Sequence, residues 1–408
     1  MNFEQSVFVI GMGYVGLPVS IELAKVGYSV VGFDSSSEKI RDLGNGYSHV
    51  EGAASADIRQ LLASGQLEFS DNPSRVSECS IVIIAVPTPL DRSNIPDLSS
   101  VTSACRSISS FLRKGTLIIN ESTSYPGTLR EIIRPILDNG LTDSGVQYAC
   151  SPERVDPGSK NFGFRNTPRL VAGLTQESVT RAYELYSKFV EEVIQVSSPE
   201  VAELAKLLEN SFRQVNIALV NQLVPYCKEL NIDIREVIDA ASSKPYGFMR
   251  FLPGAGVGGH CIPIDPLYLS WKAKQAGIHL SLIHAADQVN KEMPTYVAKR
   301  LIELADLTYG TKALLLGVTY KPGVSDLRET PAKEIANYLT SEGIEVFWND
   351  PLVNEFESVK KWNPSILVQG AIVVTAQPGL DIHSVVGSGV PVLDCTGTFK
   401  GIKGVSQL

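Results

Sequence analysis

Short apolar runs recur along roughly the first 200 residues, each bounded by glycine, proline, serine or aspartate. They are SVFVIG (6–11), SVVGFD (29–34), SIVIIAV (80–86), TLIINES (116–122), VQYAC (146–150), RLVAG (169–173) and EVIQV (192–196). Segments with apolar residues three and four apart fall between many of them. Strands alternating with helices predict an α/β fold: a doubly wound parallel sheet with helices on both faces. The pattern changes at VSSPEVAELAKLLENSFRQVNIALVNQLVPYCKELNI. Ser197 or Ser198 can cap a helix there, and Pro199 suits its first turn. Leu204, Leu208, Phe212, Val215 and Leu219 follow at helical spacing. At 1.5 Å per residue such a helix spans about 45 Å, the reach of an element that bridges domains or subunits. Pro225 is expected to kink it near its end. Alternation restarts at KALLLGVTY (312–320) and continues through IEVFWND, AIVVTA and PVLDCTG, which predicts a second, smaller α/β domain. The expected organisation is an N-terminal Rossmann-type domain (1–197), a central helical region (198–305) and a Rossmann-like C-terminal domain (306–408).

Composition narrows the functional classes. The chain has 408 residues, 44% hydrophobic and 20% charged, as in ordinary globular proteins. Its formal charge of −8 argues against nucleic acid or an anionic membrane as partner. The start shows no signal peptide and no run of transmembrane length occurs, so the cytoplasm is the expected compartment. Six scattered cysteines, with no CxxC pair, read as reduced thiols and not as a disulfide frame or metal cluster. No metal is expected.

Two segments carry chemistry. Gly11-Met12-Gly13-Tyr14-Val15-Gly16 follows the first strand and opens an amphipathic helix. The three glycines in that context allow a tight turn, a close approach of pyrophosphate and close helix–strand packing. Asp34, ending the second strand, can accept from a ribose hydroxyl and repels a 2′-phosphate, so the cofactor expected is NAD. The bland alternative is a packing turn with a surface acid. AVPTP (85–89), with Pro87 and Thr88, ends a further strand and is either a cofactor contact or a proline-rich turn. The second segment is FLPGAGVGGHCIPIDP (251–266), a glycine run ahead of Cys261. Beside an NAD site, a thiol suggests aldehyde oxidation through a thiohemiacetal and a thioester. His260, adjacent in sequence, is not expected to be its base, because adjacent side chains diverge in an extended segment.

GMGYVG, ESTSYPGT, SPERVDPG, ELAKLLEN, GVGGHCIPIDP and GVTYKPGVSDLRETP occur in the order seen in nucleotide-sugar 6-dehydrogenases. Across nearly its whole length the chain resembles this UDP-glucose/GDP-mannose dehydrogenase family. The resemblance implies a four-electron oxidation of a sugar C6 alcohol to a carboxylate with two NAD⁺, and a homodimer or higher homo-oligomer built on the long helix. It makes Cys261 the nucleophile and gives Lys206 and Asn210 the reacting oxygen. Glu153 and Asp265 become acids that order or activate water, and Thr123 a hydroxyl near the water and cofactor. It further implies that Lys321 contacts substrate, that Arg328 reaches the cofactor pyrophosphate, and that Tyr246, Phe248 and Arg250 form a substrate loop. Gly256, Gly258 and Gly259 are then expected to be bare backbone beneath the sugar ring. Many glucose-type members read Cys-x-Pro-Lys-Asp, where this chain has Ile264. That difference and the Glu-Arg-x-x-Pro-Gly pattern resemble the branch acting on UDP-N-acetylhexosamines, with N-acetylglucosamine first, N-acetylmannosamine second and UDP-glucose a further alternative. Arg154 is a candidate partner for the acetamido group. Two rivals stand beside this reading. A two-electron hydroxyacid-type dehydrogenase needs neither the cysteine nor the second α/β domain. A non-catalytic nucleotide sensor would not need Cys261, Lys206 and Asn210 together.

Overall fold

The computed structural model describes residues 5–50, 52–138, 145–155 and 161–408. The Asp156–Gly158 end of the SPERVDPG motif lies outside them. The chain forms two compact units, Met1–Glu209 with Leu267–Gly277, and Asn210–Pro266 with Ile278–Leu408.

The first unit is built on an eight-stranded sheet. Its strands are β1 (Ser6–Ile10), β2 (Ser29–Phe33), β3 (Leu67–Ser70), β4 (Ile81–Ile84), β5 (Leu117–Asn120), β6 (Gln147–Cys150), β7 (Arg169–Gly173) and β8 (Val193–Gln195). Their order is β3-β2-β1-β4-β5-β6-β7-β8. Every pairing is parallel except β6 with β7, where the chain reverses, a departure from the all-parallel expectation. Helices cover both faces, so the central strands are continuous apolar runs. Val7 and Val9 enter one core with Leu17 and Ile21 of the helix Gly16–Lys25. Phe8 and Ile10 enter the other with Val101 and Cys105. The strand LEFS at β3 escaped the sequence reading because its alternate positions are only half-buried.

The second unit repeats the plan at smaller size. Its strands are β9 (Lys312–Leu316), β10 (Glu345–Asn349), β11 (Lys360–Lys361), β12 (Gly370–Val373), β13 (Val392–Asp394) and β14 (Val405–Gln407). They run all-parallel in the order β11-β10-β9-β12-β13-β14. The first turn is duplicated in detail. In the first sheet Gly11 N–H donates to Phe33 O (2.8 Å), and Asp34 accepts from Met12 N (3.0 Å) and Ser36 N (3.1 Å). In the second, Gly317 N–H donates to Asn349 O (2.9 Å), and Asp350 accepts from Val318 N and Leu352 N, both at 2.9 Å. The second domain thus uses the same turn without the GxGxxG signature.

The long helix runs Pro199–Glu229, 31 residues, with Pro225 inside it and no break. Its buried side mixes apolar residues (Ala202, Leu207, Ala218, Val220 and Val224) with polar ones. Leu204, Leu208, Phe212 and Leu219, the stripe seen in the sequence, are exposed. Glu203, Lys206, Asn210, Gln214 and Asn221 are buried. Glu203, only 2% exposed, accepts from Gly127 N (2.7 Å) and Leu129 N (3.1 Å), satisfying amides that begin the next helical stretch. Burial lifts its carboxyl to about 8 against the pull of those amides. Glu203→Ala leaves two buried N–H groups without an acceptor, each costing on the order of 1–3 kcal/mol. The expected loss is about 3 kcal/mol in urea unfolding. A midpoint equal to wild type would show that water replaces the carboxylate.

Candidate active site

The fingerprint turn sits where the strand order reverses, at the carboxyl ends of β1 and β4, the position at which open α/β sheets bind nucleotides. Its glycines have separate causes. Gly11 has φ +96°, and a Cβ there would lie 2.5 Å from Ala85 O. A Cβ on Gly16 would lie 1.9 Å from Gly11 O. These two are required by the protein's own packing. At Gly13 a Cβ would meet nothing within 4 Å, so its bare backbone faces open space at the helix N-terminus. A cofactor pyrophosphate fits there. Tyr14 and Val15 are half-buried beside it. Asp34 also pairs with Lys39 (2.8 Å). Burial raises its carboxyl, but Lys39 and the amides of Ser36 and Met12 outweigh that and hold it below the usual range. Pro87 is exposed and Thr88 buried beyond β4. The neighbouring Ser122 ties that turn down, accepting from Val86 N (2.9 Å) and donating to Val86 O (2.8 Å). Thr123 follows it, half-buried.

Glu153 lies just beyond β6 and is held from three sides. Its Oε1 accepts from Arg154 N (2.6 Å) and Val155 N (2.7 Å), and its Oε2 from Arg169 Nη2 (2.7 Å). Arg154 is committed within the protein: one amino group donates to Pro168 O (2.8 Å) and the other pairs with Glu209 (2.7 Å). Its Nε is buried with no hydrogen-bond partner among the described residues. Lys206 and Asn210 stand one turn apart on the long helix, both buried.

In the second unit, Asn210 Nδ2 donates to Asp265 Oδ2 at 2.5 Å. Asp265 opens the helix Asp265–Gln275, and its amide donates to Cys261 O (2.9 Å), as does that of Ile264 (3.2 Å). Cys261 thus stands at the helix's N-terminal end, where the backbone favours negative charge. It is the exposed cysteine, and the other five are buried. Ile264, at the position of the glucose-type lysine, is buried at 7% exposure. Burial, then Arg328, lowers the proton affinity of His260.

The glycine run has a different physical reason from the one expected. A Cβ on Gly258 would strike Glu329 O (2.6 Å) and Tyr320 (2.7 Å). One on Gly259, at φ +82°, would strike the Tyr320 ring (2.7 Å), and one on Gly256 would crowd Asn290 O (3.2 Å). The missing side chains make room for the TYKPG loop and for Asn290. Gly259 N–H also donates to Arg328 O (3.0 Å), which pins the cysteine loop. Lys321 is half-buried in the adjoining loop, and the Arg328 side chain pairs with Asp326 (2.6 Å). Tyr246 and Phe248 are exposed, and Arg250 pairs with Asp239 (2.7 Å).

The sequence reading missed Glu121, Arg169 and Tyr186, a buried set behind Glu153. The signal was present as an acid ending the apolar run LIINE and a base opening RLVAG.

The NAD-binding, central and UDP-binding domains of one dehydrogenase family match residues 5–190, 200–292 and 314–377. A UDP-N-acetyl-D-glucosamine 6-dehydrogenase of Pseudomonas aeruginosa is 36% identical over 367 residues, 88% of this chain and 86% of that protein. A UDP-N-acetyl-D-mannosamine dehydrogenase of Pyrococcus horikoshii is 34% identical over 383 residues, 91% and 89% of the two chains. Among solved structures, the UDP-N-acetyl-mannosamine dehydrogenase Cap5O from Staphylococcus aureus superposes with a TM-score of 0.86 at 32% identity, covering 98% of this chain and 97% of that one. With all three domains in order on two Rossmann-type sheets, the chain belongs to the UDP-glucose/GDP-mannose dehydrogenase family, the NAD-dependent 6-dehydrogenases of nucleotide sugars.

Proposed function

We propose that this enzyme oxidises the C6 alcohol of a UDP-N-acetylhexosamine, UDP-N-acetylglucosamine first, to the uronic acid for a surface polysaccharide. The observation that carries the sugar class is Ile264. Its buried apolar side chain fills the position where glucose-type members carry lysine, and the similar proteins above are named for N-acetylated sugars. UDP-N-acetylmannosamine is the second reading, favoured by the Pyrococcus and Staphylococcus relatives.

Bound NAD⁺ supplies the two-electron acceptor for each of two oxidations. The first takes the alcohol to the aldehyde. Cys261 Sγ then adds to the aldehyde carbon, forming a C–S bond while the carbonyl oxygen gains a proton. Loss of hydride and that proton leaves a thioester. Water attacks it, the C–S bond breaks, and carboxylate and thiol are released. We assign the developing negative oxygen to Lys206 and Asn210, because fixed donors away from water stabilise charge strongly. Asp265, bonded to Asn210, orients that amide. Among the described residues three donors reach Glu153, and the remaining acceptor position on Oε2 is assigned to the attacking water, whose proton Glu153 takes. Thr123 is assigned to the same water, Arg328 to the cofactor, and Lys321 to the substrate. Tyr246, Phe248 and Arg250 are assigned to a substrate loop. The exposed stripe of Leu204, Leu208, Phe212 and Leu219 favours a second copy of the chain as its cover, giving a homodimer.

Two NADH per sugar consumed are expected in a coupled spectrophotometric and chromatographic count; one per sugar removes the four-electron scheme. Cys261→Ala is expected to retain UDP-sugar binding by calorimetry while acid formation falls at least about 10³-fold. Normal acid production by that variant would exclude the thioester. In a panel of UDP-sugars, kcat/KM is expected to be highest for UDP-N-acetylglucosamine and lowest for UDP-glucose; the reverse order would refute the sugar class. Leu208→Glu is expected to shift a dimer to monomer in sedimentation, and an unchanged assembly would place the interface elsewhere.

A further inference from the structure

Behind Glu153, one guanidinium serves two carboxylates. Arg169, 4% exposed, donates from Nη2 to Glu153 Oε2 (2.7 Å) and to Glu121 Oε2 (2.8 Å). Its Nε donates to Ser151 Oγ (3.0 Å), and its plane lies 4.4 Å from the centre of the Tyr186 ring. Tyr186, fully buried, donates its O–H to Glu121 Oε1. Glu121 is 1% exposed at the end of β5. The charged and titratable groups facing it are Arg169 from β7, Tyr186 from the helix Gln176–Tyr186, Glu153 beyond β6 and the Cys150 thiol ending β6. Burial pushes the Cys150 thiol and the Tyr186 hydroxyl far up, so neither supplies charge.

With both carboxylates ionised, the cluster carries one uncompensated negative charge in a dry interior, which is costly. The relief is a proton on one of them. Glu153, half-buried and holding two backbone amides, is the better-stabilised anion, so the proton belongs to Glu121. Burial lifts Glu121 to about 7 against the pull of Arg169.

We propose that Glu121 is a positioning residue whose protonation state sets how much of Arg169's charge is spent on Glu153. The proposal rests on the reading of Glu153 as the group that activates the hydrolytic water. While Glu121 holds its proton, Arg169 spends its charge on Glu153 alone. When Glu121 ionises, the guanidinium is divided between two anions and opposes less of the charge that Glu153 presents to the water. Thioester hydrolysis therefore accelerates as pH rises through about 7. The proton leaves to solvent and no other bond changes.

The test follows decay of the Cys261 thioester. Enzyme is mixed with NAD⁺ and the preferred UDP-sugar, acid-quenched across roughly pH 6–9, and read by intact mass. Glu121→Gln, neutral throughout, is expected to lose the rise near pH 7 and hydrolyse at about pH 8.5 at least about tenfold more slowly than wild type. KM for both ligands should stay within about twofold. Glu121→Asp should restore a rise. Tyr186→Phe removes the donor to ionised Glu121 and should move the rise upward by about one pH unit. An unchanged rise in Glu121→Gln overturns the proposal, as does an unmoved rise in Tyr186→Phe should the first variant fail to fold. Glu153→Gln separates the two readings. Thioester accumulation in that variant, beside a normal pH profile in Glu121→Gln, sinks only the Glu121 inference. Wild-type hydrolysis in Glu153→Gln removes the Glu153 assignment itself.

Discussion

The architecture depends on one backbone constraint, met twice. A central strand must end in a turn so tight that its glycine lies against the neighbouring strand's backbone. At Gly11 a Cβ would sit 2.5 Å from Ala85 O, and at Gly317 one would sit 1.8 Å from Thr375 O. Each glycine has positive φ, and each following amide is caught by an aspartate ending the second strand of its sheet. That turn fixes where β1 meets β4 and where β9 meets β12, the switch points at which strand order reverses. The nucleotide sites of such sheets follow from the switch, not from the signature. The full glycine signature is needed only where a pyrophosphate must also come close, and Gly13 alone faces open space for it.

The duplication changes the meaning of Asp34. As a sequence feature it reads as a ribose ligand. In the structure its first task is to hold Met12 N and Ser36 N, the task Asp350 performs while wholly buried. Ribose recognition by Asp34 would then be a second use of a carboxylate that the turn already requires. Lys39 keeps it ionised, which makes it a firm acceptor and a poor neighbour for a 2′-phosphate.

Most of the fold was legible because buried parallel strands are short apolar runs, and the runs at β1, β2, β7 and β9 stood out plainly. LEFS at β3, the two-residue β11 and the half-buried β14 did not, since edge strands keep polar residues. The long helix was legible as a helix but not in its sidedness. Its leucine stripe predicts a helix that bridges domains or subunits, and that stripe is exposed, while the buried face carries Glu203, Lys206, Asn210 and Gln214 beside Leu207, Val220 and Val224. Periodicity reports which residues share a face. It does not report which face is covered when polar residues are hydrogen-bonded inside. The cysteine loop shows the same limit. Four glycines before a thiol suggested a shelf for substrate, but the space they leave at positions 258 and 259 is filled by Tyr320 and Glu329, residues about sixty to seventy positions further along the chain. Ordered motifs identified Cys261, Lys206, Asn210, Glu153 and Asp265 as candidates. Only geometry revealed that Asn210 and Asp265 are bonded to each other, or that Arg154 is tied to Glu209.

With Glu153 assigned as the base for water attack, the buried set behind it would let that carboxylate be held firmly and still act. A carboxylate with every acceptor position filled has no room for water, and one with none filled would swing or take up a proton. Among the described residues, three donors on Glu153 leave a single position on Oε2, which fixes direction as well as charge. Firm holding by a guanidinium ordinarily weakens a base, because the same cation that orients the anion lowers its proton affinity. A second carboxylate on Arg169 takes part of that cation's charge without loosening the geometry. Glu121 can do so only because it is sealed from water, where its own ionisation is costly enough to respond near neutral pH. Exposure of Glu121 would leave it ionised at all working pH values, and the arrangement would keep its strength but lose its pH response.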